Sequence, residues 1–515
     1  MTNRIPARRP HDTDAPPVTR DDAVVAGVLS DAAHVPGGFA EGIAFPASEA
    51  EVAALVASAE RILPIGAQSS LTGGATPRGD LVLSTRALTR LELLPGGLVR
   101  AGAGVPLVAL QHALAASGRY YPPVPTFDGA FVGGTIATNA AGPATFKYGS
   151  TRRWVRAITV VLAGGDVLDI ERGAVTASNH AFAIERPSGD AVHVPVPTYP
   201  MPAVAKLSAG YSAAPDLDLI DLFIGAEGTL GVIVEATLAT VPLPRRMAAL
   251  VRCRDEAQML ALTAMLRSDA QRAWHDGPRR GEPCLDLAAI EYIDARAVAL
   301  LDDATFARAA VERPHDGVLL LLQAEITGDD DTALARLHQL LETSGIEDDP
   351  AIAMPDDERG ARRLFDLRES VPAAVNARVA AAKLGVDPGI EKTAGDMVVP
   401  FEQLGGALAA YRRHFERFGL AYAVWGHVSD GNLHPNVIPA SLDDVRRGRE
   451  ALLAIARDVM AMGGAPLAEH GVGRNALKQQ LLHEMYGSEG IEEMRRVKRA
   501  LDPASKLSTG VLFEV

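Results

Sequence analysis

The sequence of 515 residues is poor in cysteine, has no long apolar run and carries no excess of positive charge, and each shortage removes a class of function. Only Cys253 and Cys284 occur, far from any Cys-x-x-Cys or zinc-ribbon spacing, so a disulfide framework is excluded and a reducing cytoplasm is the natural setting. No uninterrupted apolar stretch reaches the roughly 18 residues that a bilayer span needs. No transmembrane segment is therefore expected, and membrane association would be peripheral, through a partner. Arg4, Arg8 and Arg9 open the chain, but no apolar h-region follows them, which argues against a secretory signal. The net charge of -14 argues against a nucleic-acid partner and against binding to anionic lipid. It leaves room for a local cationic pocket, which an anionic substrate requires.

What the chain does have is a globular composition, 48% hydrophobic and 22% charged, at a length of several domains by the usual scale of about 150 residues each. Residues 1–22, rich in Arg, Pro and Asp, read as a loose tail. The alanine-rich stretch 48–61 reads as an amphipathic helix and 62–65 as a buried strand. A loop of small residues at 66–74 precedes a strand at 81–84, and a strand at 98–101 precedes a helix at 106–117, with Pro106 at its start. Gly102-Ala103-Gly104 invites a dinucleotide fingerprint, but Leu107 stands where its third glycine should be. A second small-residue cluster fills 131–142, a hairpin is expected at 158–162 and 167–170, and a Pro-rich stretch at 187–202 reads as an irregular insertion. A third cluster spans 223–234, and Pro242-Leu243-Pro244 marks a boundary. Beyond it, strands at 248–253, 318–326, 397–399, 422–425 and 433–438 alternate with helices at 256–266, 332–344, 360–383 (interrupted by Pro372), 443–462 and 491–501. This pattern predicts an α+β architecture with a largely antiparallel sheet.

The run from Trp425 to Asn436 supplies metal-ligand residue types. Asp430-Gly431 signals a two-residue type I′ turn, since both central positions need positive φ. With that turn Ser429 faces Asn432, His427 lies directly opposite His434, and Trp425 pairs with Asn436. Opposed Cβ atoms sit roughly 4.5–5.5 Å apart, so two imidazoles can converge on one ion. Glu469 would complete a His2Glu set with open positions, as in a catalytic divalent-metal site. Alone, such a pair is more often two surface histidines.

The glycine-rich clusters shift that balance. Their lack of bulk lets backbone N–H groups approach an anion, and neither of the first two ends in the Gly-Lys-Ser/Thr of a nucleotide triphosphatase loop, so phosphoryl transfer is not supported. In order, 64–74, Gly133-Gly134 and 221–231 resemble the FAD domain of the vanillyl-alcohol oxidase and p-cresol methylhydroxylase superfamily. The segments 289–294, 426–436, 469–473 and 498–503 narrow the resemblance to the FAD-linked D-2-hydroxy-acid dehydrogenases, the group of D-lactate dehydrogenase, glycolate oxidase flavoprotein subunit and D-2-hydroxyglutarate dehydrogenase.

The resemblance implies a two-subdomain FAD-binding domain over 1–246, an α+β cap with the metal hairpin over 247–462, and a C-terminal segment, 463–515, that completes the active site and returns to the FAD domain. FAD would lie on Ile65, Gly66, Ala67, Gln68, Ser69, Ser70, Thr72 and Gly73 of the first loop. Pro125, Gly133, Gly134, Thr135, Thr138 and Gly142 would follow from the second cluster, and Glu227, Gly228 and Ile233 from the third. Covalently flavinylated relatives place a histidine in the first loop; Gln68 and Ser69 stand there, which implies noncovalent FAD. Leu507-Ser508-Thr509-Gly510-Val511 replaces the Asn-Pro-Gly-Lys segment common near the flavin. By motif position His427, His434 and Glu469 would bind zinc, or manganese or iron, and the metal would chelate the 2-hydroxyl and carboxylate of the substrate. His470 would be the base and Arg368 the carboxylate clamp; Arg368 could equally be a surface arginine paired with Asp366 or Glu369. Lys392 resembles a second carboxylate-binding lysine, though its spacing to Asp396 departs from the family's Lys-x-Asp, and Asn436 would hydrogen-bond substrate. The implied partners are a small anionic 2-hydroxy acid, an electron acceptor (electron-transfer flavoprotein, quinone or cytochrome) and a second copy in a homodimer. Two other readings stay open: an alkyl-glycerone-phosphate synthase-like flavin transferase, disfavoured by the lack of consecutive histidines, and a metal-independent flavin oxidase of phenols or alcohols.

Overall fold

The computed structural model describes residues 2–276 and 283–514. The N-terminal half is built around two larger sheets, with a three-stranded and a two-stranded sheet beside them. A four-stranded sheet runs in the order Val18–Thr19, Phe39–Ala44, Arg78–Ser84, Ile62–Ile65, with the last three strands mutually parallel. The helix Glu49–Ser58 makes the crossover, capped by the Ser48 side chain on the Glu51 N–H. Its alanines and valines bury against Val161, Val167 and Val232 of the second sheet, so one short helix glues the two sheets together. That second sheet is antiparallel, in the order Val167–Glu171, Val155–Val161, Val232–Ala239, Leu98–Gly102, Leu91–Leu94.

The rest of the chain is built on one eight-stranded sheet, antiparallel at each of its pairings. Arg246–Cys253, Val318–Glu325, Asp286–Ile293, Tyr422–His427 and Asn432–Val437 lie side by side at its centre. Helices Glu256–Asp276, Glu358–Gly385, Leu404–Arg417 and Leu442–Ala461 accompany it. The final helix, Ala476–Leu501, kinks at Gly487, after which the chain returns to the first sheet: the Ile62 N–H reaches Lys506 O and the Ser508 N–H reaches Ile62 O, both at 2.8 Å. No helix among the described residues is long and apolar enough to cross a membrane.

Four local expectations need correction. The expected loose tail is ordered by pairing: Arg4–Pro6 runs parallel to Ala181–Glu185, and Arg8 pairs with Glu49 and Asp169. An edge strand borrows its hydrogen bonds from a distant partner, so its own composition need not show alternation. The Pro-rich insertion begins as a hairpin, Ala181–Glu185 with Ala191–Pro195, and Pro187 and Gly189 occupy its turn. The second small-residue loop contains the helix Val132–Ala137. Helix Glu358–Gly385 continues through Pro372 rather than stopping there.

Candidate active site and metal centre

The hairpin forms, with a longer loop than the sequence suggests. Val428–Asp430 make a 3-10 turn closed by Gly431 at φ 80°, so four residues rather than two join the strands. A Cβ on Gly431 would lie 2.1 Å from Val399 O, and Ser429 Oγ accepts from the Ile290 N–H, so the loop is shaped by its packing on neighbouring strands. His427 therefore faces Asn432, His434 faces Trp425, and Asn436 faces Ala423, in place of the expected pairs. The two-residue shift keeps His427 and His434 on one face because side chains alternate with period two. Their rings meet diagonally, centroids 5.4 Å apart and planes at 90°.

Glu469 Oε1 is the focus of the cluster. It lies 3.2 Å from His427 Nε2, 3.4 Å from His434 Nε2 and 3.7 Å from His470 Nε2. Asp396, His434, Glu469 and His470 also offer ligand atoms that all fall within 4.8 Å of one another. Asp396 is the holder rather than a free ligand in that group. Its Oδ2 accepts from the Glu469 and His470 backbone N–H groups at 2.9 and 2.8 Å and lies 3.1 Å from His470 Nδ1, while Oδ1 accepts from Asn432 Nδ2 at 3.1 Å.

His427 is held in the same manner, with Nδ1 on the buried Glu291 carboxylate, whose other oxygen takes Arg368 Nε at 2.7 Å. Carboxylate-backed imidazoles with the far nitrogen turned inward are the supporting arrangement of metal ligands. The electrostatics follow from burial and partners. Burial would raise Glu291, but His427 and Arg368 pull it down to about 2. Burial would lower His427, but Glu291 raises it to about 9. His434 Nδ1 lies 3.6 Å from Asp396 Oδ1 without a hydrogen bond, and burial pushes this imidazole down to about 4. Burial opposes ionisation of Glu469, yet Lys206 and His427 hold it well below the carboxylate range.

Several site residues escaped the sequence reading. Lys206, just beyond the Pro-rich stretch of the N-terminal half, is fully buried with Nζ 2.9 Å from Glu469 Oε2, 3.1 Å from Asp430 Oδ2 and 3.3 Å from Asn432 Oδ1. Its only sequence signal is a lone lysine flanked by small and apolar residues. Asp396 and Glu291 carried no signal for their holding roles. Arg368 is not a surface residue: it is buried, bonded to Glu291 and to Glu369 at 2.8 Å, one side chain removed from His427. Asn436 donates to His434 O at 2.9 Å, and its Oδ1 is buried with no partner among the described residues. Lys392 is exposed and makes no hydrogen bond or ion pair among the described residues.

The first glycine-rich loop offers backbone rather than side chains. Between Ala67 and Leu71 no main-chain N–H has a protein acceptor among the described residues, while Gln68 turns its amide inward to Val28 O and Ala75 O at 2.9 and 2.8 Å. Such a run of free donors fits a diphosphate. Ile65, just before it, is buried. Ser70 and Thr72 hydroxyls bond each other at 3.0 Å, Gly73 takes φ 71°, and Ser69 is half-buried. In the second cluster a Cβ on Gly133 would strike Ala103 Cβ at 2.6 Å and one on Gly142 would strike Val124 O at 2.2 Å, beside Pro125. A Cβ on Gly134, by contrast, meets nothing within 4 Å. Gly134 thus presents an open, unhindered face on which a flat ligand fits. Thr135 and Thr138 spend their hydroxyls on Val132 O and Gly134 O.

Glu227 has partners within the protein itself. Its carboxylate accepts the Val472 and Gly473 N–H groups at 2.8 and 2.9 Å, so it ties the third cluster to the loop that follows His470. Gly228 packs on Pro64, and Ile233 is buried in its strand. A Cβ on Gly74 would lie 3.2 Å from Gly473 Cα. The first loop, the third cluster and the metal-side loop therefore share one wall.

Residues 40–171 match the family of the FAD binding domain, and residues 279–512 match that of the FAD linked oxidases, C-terminal domain. The chain is similar to D-lactate dehydrogenase of Archaeoglobus fulgidus, 29% identical over 90% of this chain and 89% of the relative. Glycolate oxidase subunit GlcD of Bacillus subtilis is 27% identical over 88% and 83%, and D-2-hydroxyglutarate dehydrogenase of Xanthomonas citri pv. viticola is 29% identical over 92% and 89%. In fold it resembles the solved structure of an alkyldihydroxyacetonephosphate synthase, with a TM-score of 0.58 and 14% identity over 91% of this chain and 76% of the other.

Proposed function

We propose that this chain, a member of the FAD-linked oxidases and an oxidoreductase of the D-lactate, glycolate and D-2-hydroxyglutarate dehydrogenase type, oxidises a D-2-hydroxy acid to the 2-oxo acid with a divalent cation held by His427, His434 and Glu469. The observation that carries the reading is the convergence of the imidazole Nε2 atoms on Glu469 Oε1, each outer nitrogen of His427 and His470 being backed by a buried carboxylate. When bound, FAD supplies the hydride acceptor at N5 and the cation, zinc or else manganese or iron, supplies a Lewis acid for the 2-hydroxyl.

The protein's own residues do the rest. His470, partly open to solvent with Nδ1 against Asp396, takes the hydroxyl proton at Nε2 while the C2 hydrogen leaves with its electron pair. Nε2 of His470 faces the same carboxylate oxygen as the ligand histidines, so acid–base and Lewis-acid chemistry meet at one substrate oxygen. Arg368 and the unpaired Lys392 supply cations for substrate carboxylates, and the free Oδ1 of Asn436 accepts from a substrate hydroxyl. Backbone donors of residues 67–71 hold the FAD diphosphate, and Gly134 leaves room for the ring system. Electrons then pass to an electron-transfer flavoprotein, a quinone or a cytochrome.

Turnover with an artificial dye acceptor tests the reading. A D-2-hydroxy acid should give the matching 2-oxo acid in equal amount to the dye reduced, and its L-enantiomer should give none. Dye reduction by a phenol, with no D-acid active, would move the assignment to the metal-independent oxidase.

A further inference from the structure

Lys206 is a fully buried cation that bridges the two halves of the molecule at the proposed metal centre, and the proposed reaction does not use it. It rises from the N-terminal half, yet its neighbours Glu469, Asp430 and Asn432 all belong to the C-terminal half. We propose that Lys206 is a positioning residue that fixes which oxygen of Glu469 faces the metal. This rests on the metal reading given above.

The geometry supplies the reason. Lys206 Nζ occupies Oε2 of Glu469 at 2.9 Å, which leaves Oε1 as the oxygen turned towards His427, His434 and His470. The same ammonium sits 3.1 Å from Asp430. Glu469 and Asp430 thus share one counter-ion, and without it two buried carboxylates would repel each other and lose their common orientation. Of the three ammonium donors, two are hydrogen-bonded to Glu469 Oε2 and Asn432 Oδ1, and Asp430 Oδ2 lies 3.1 Å away as an ion-pair partner. With its side chain fully buried among these three partners, Lys206 is a positioning group rather than a catalytic one.

Two effects oppose each other, and the sign of the outcome decides between them. By charge alone, removing a cation beside a metal site should tighten metal binding. By orientation, removing it should weaken binding, as loss of the partners that orient ligands does, by roughly 10–100-fold. The paired carboxylates favour the second effect, because the ligand itself swings once its clamp is gone.

The experiment is a Mn2+ titration of the oxidised FAD-loaded enzyme, followed by electron paramagnetic resonance of free and bound Mn2+. Wild type should bind the ion and His427→Ala should not. If wild type binds no Mn2+, and no Zn2+ in competition, the metal reading itself fails and takes this inference with it. Given binding by wild type, Lys206→Met should weaken Mn2+ binding about 10–100-fold and alter the bound-ion spectrum, with the flavin absorbance unchanged. Lys206→Gln, which keeps one donor towards Oε2, should show a smaller loss of the same sign and serves if the Met variant does not fold. Mn2+ affinity equal to or tighter than wild type in either folded variant would overturn the proposal.

Discussion

The two ligand-facing regions of this molecule are built from opposite materials. The proposed flavin side is made mostly of small residues, so that main-chain donors at 67–71 and the bare surface of Gly134 stand open to a ligand. The proposed metal side is made of buried charge, with Glu291, Asp396, Glu469, Asp430, Lys206 and Arg368 paired around His427, His434 and His470. The contrast teaches how each region should respond to mutation. A backbone site tolerates changes of chemistry and fails on added bulk; a side-chain site tolerates little change of chemistry, since each group is the partner of another.

The sharpest break should come from the ligand histidines. Replacing His427 or His434 by alanine should remove the metal and cut turnover by about 1000-fold, roughly 4 kcal/mol of barrier, with FAD content unchanged; turnover and elemental analysis check it. Gly134→Leu should do the reverse, losing most of the flavin on gel filtration while still binding Mn2+, because its side chain would enter space that no protein atom fills. If both variants lost both ligands, the two regions would not be separable.

Glu291→Gln sharpens the comparison inside the metal side. It should weaken metal binding by roughly 10–100-fold and leave flavin binding intact, since Glu291 acts through His427 Nδ1. The smallest effect belongs to Glu227, which joins the two regions. Burial raises its carboxyl from 4.5 to about 6, against the pull of the Val472 and Gly473 N–H groups. A carboxyl raised on folding favours the protonated folded form, so its contribution is full below pH 4.5 and is lost as pH rises through about 6. Glu227→Gln mimics the protonated state. Relative to that variant, wild type should lose about 2 kcal/mol or less between those limits, read as a pH-dependent gap in Tm; a gap independent of pH would show that Glu227 does not titrate there.

Legibility in the sequence divides along the same line. The strands 62–65, 248–253 and 318–326 stand where hydrophobic pattern puts them, because packing on a sheet leaves a periodic trace, whereas the central strand Asp286–Ile293 was not read. The hairpin face of His427 and His434 was also readable, although its register was not: the turn is set by Val399 and Ile290 from neighbouring strands, contacts that no local dipeptide encodes. Lys206, Asp396 and Arg368 were hidden or ambiguous for a related reason. Their roles come from partners at separations such as 263 residues for Lys206 and Glu469, and a buried lysine has the same letter as an exposed one. The N-terminal strand Arg4–Pro6 was missed because its order resides in the partner strand Ala181–Glu185.

The central claim is that flavin reduction by a D-2-hydroxy acid depends on the metal centre. Mixing the oxidised enzyme anaerobically with D- and L-2-hydroxy acids, before and after chelator treatment and again after returning the metal, tests it in one series of flavin spectra. The account predicts bleaching by a D-acid, loss of bleaching with the metal and recovery on its return. Undiminished bleaching in chelated enzyme shown to be free of metal would contradict it.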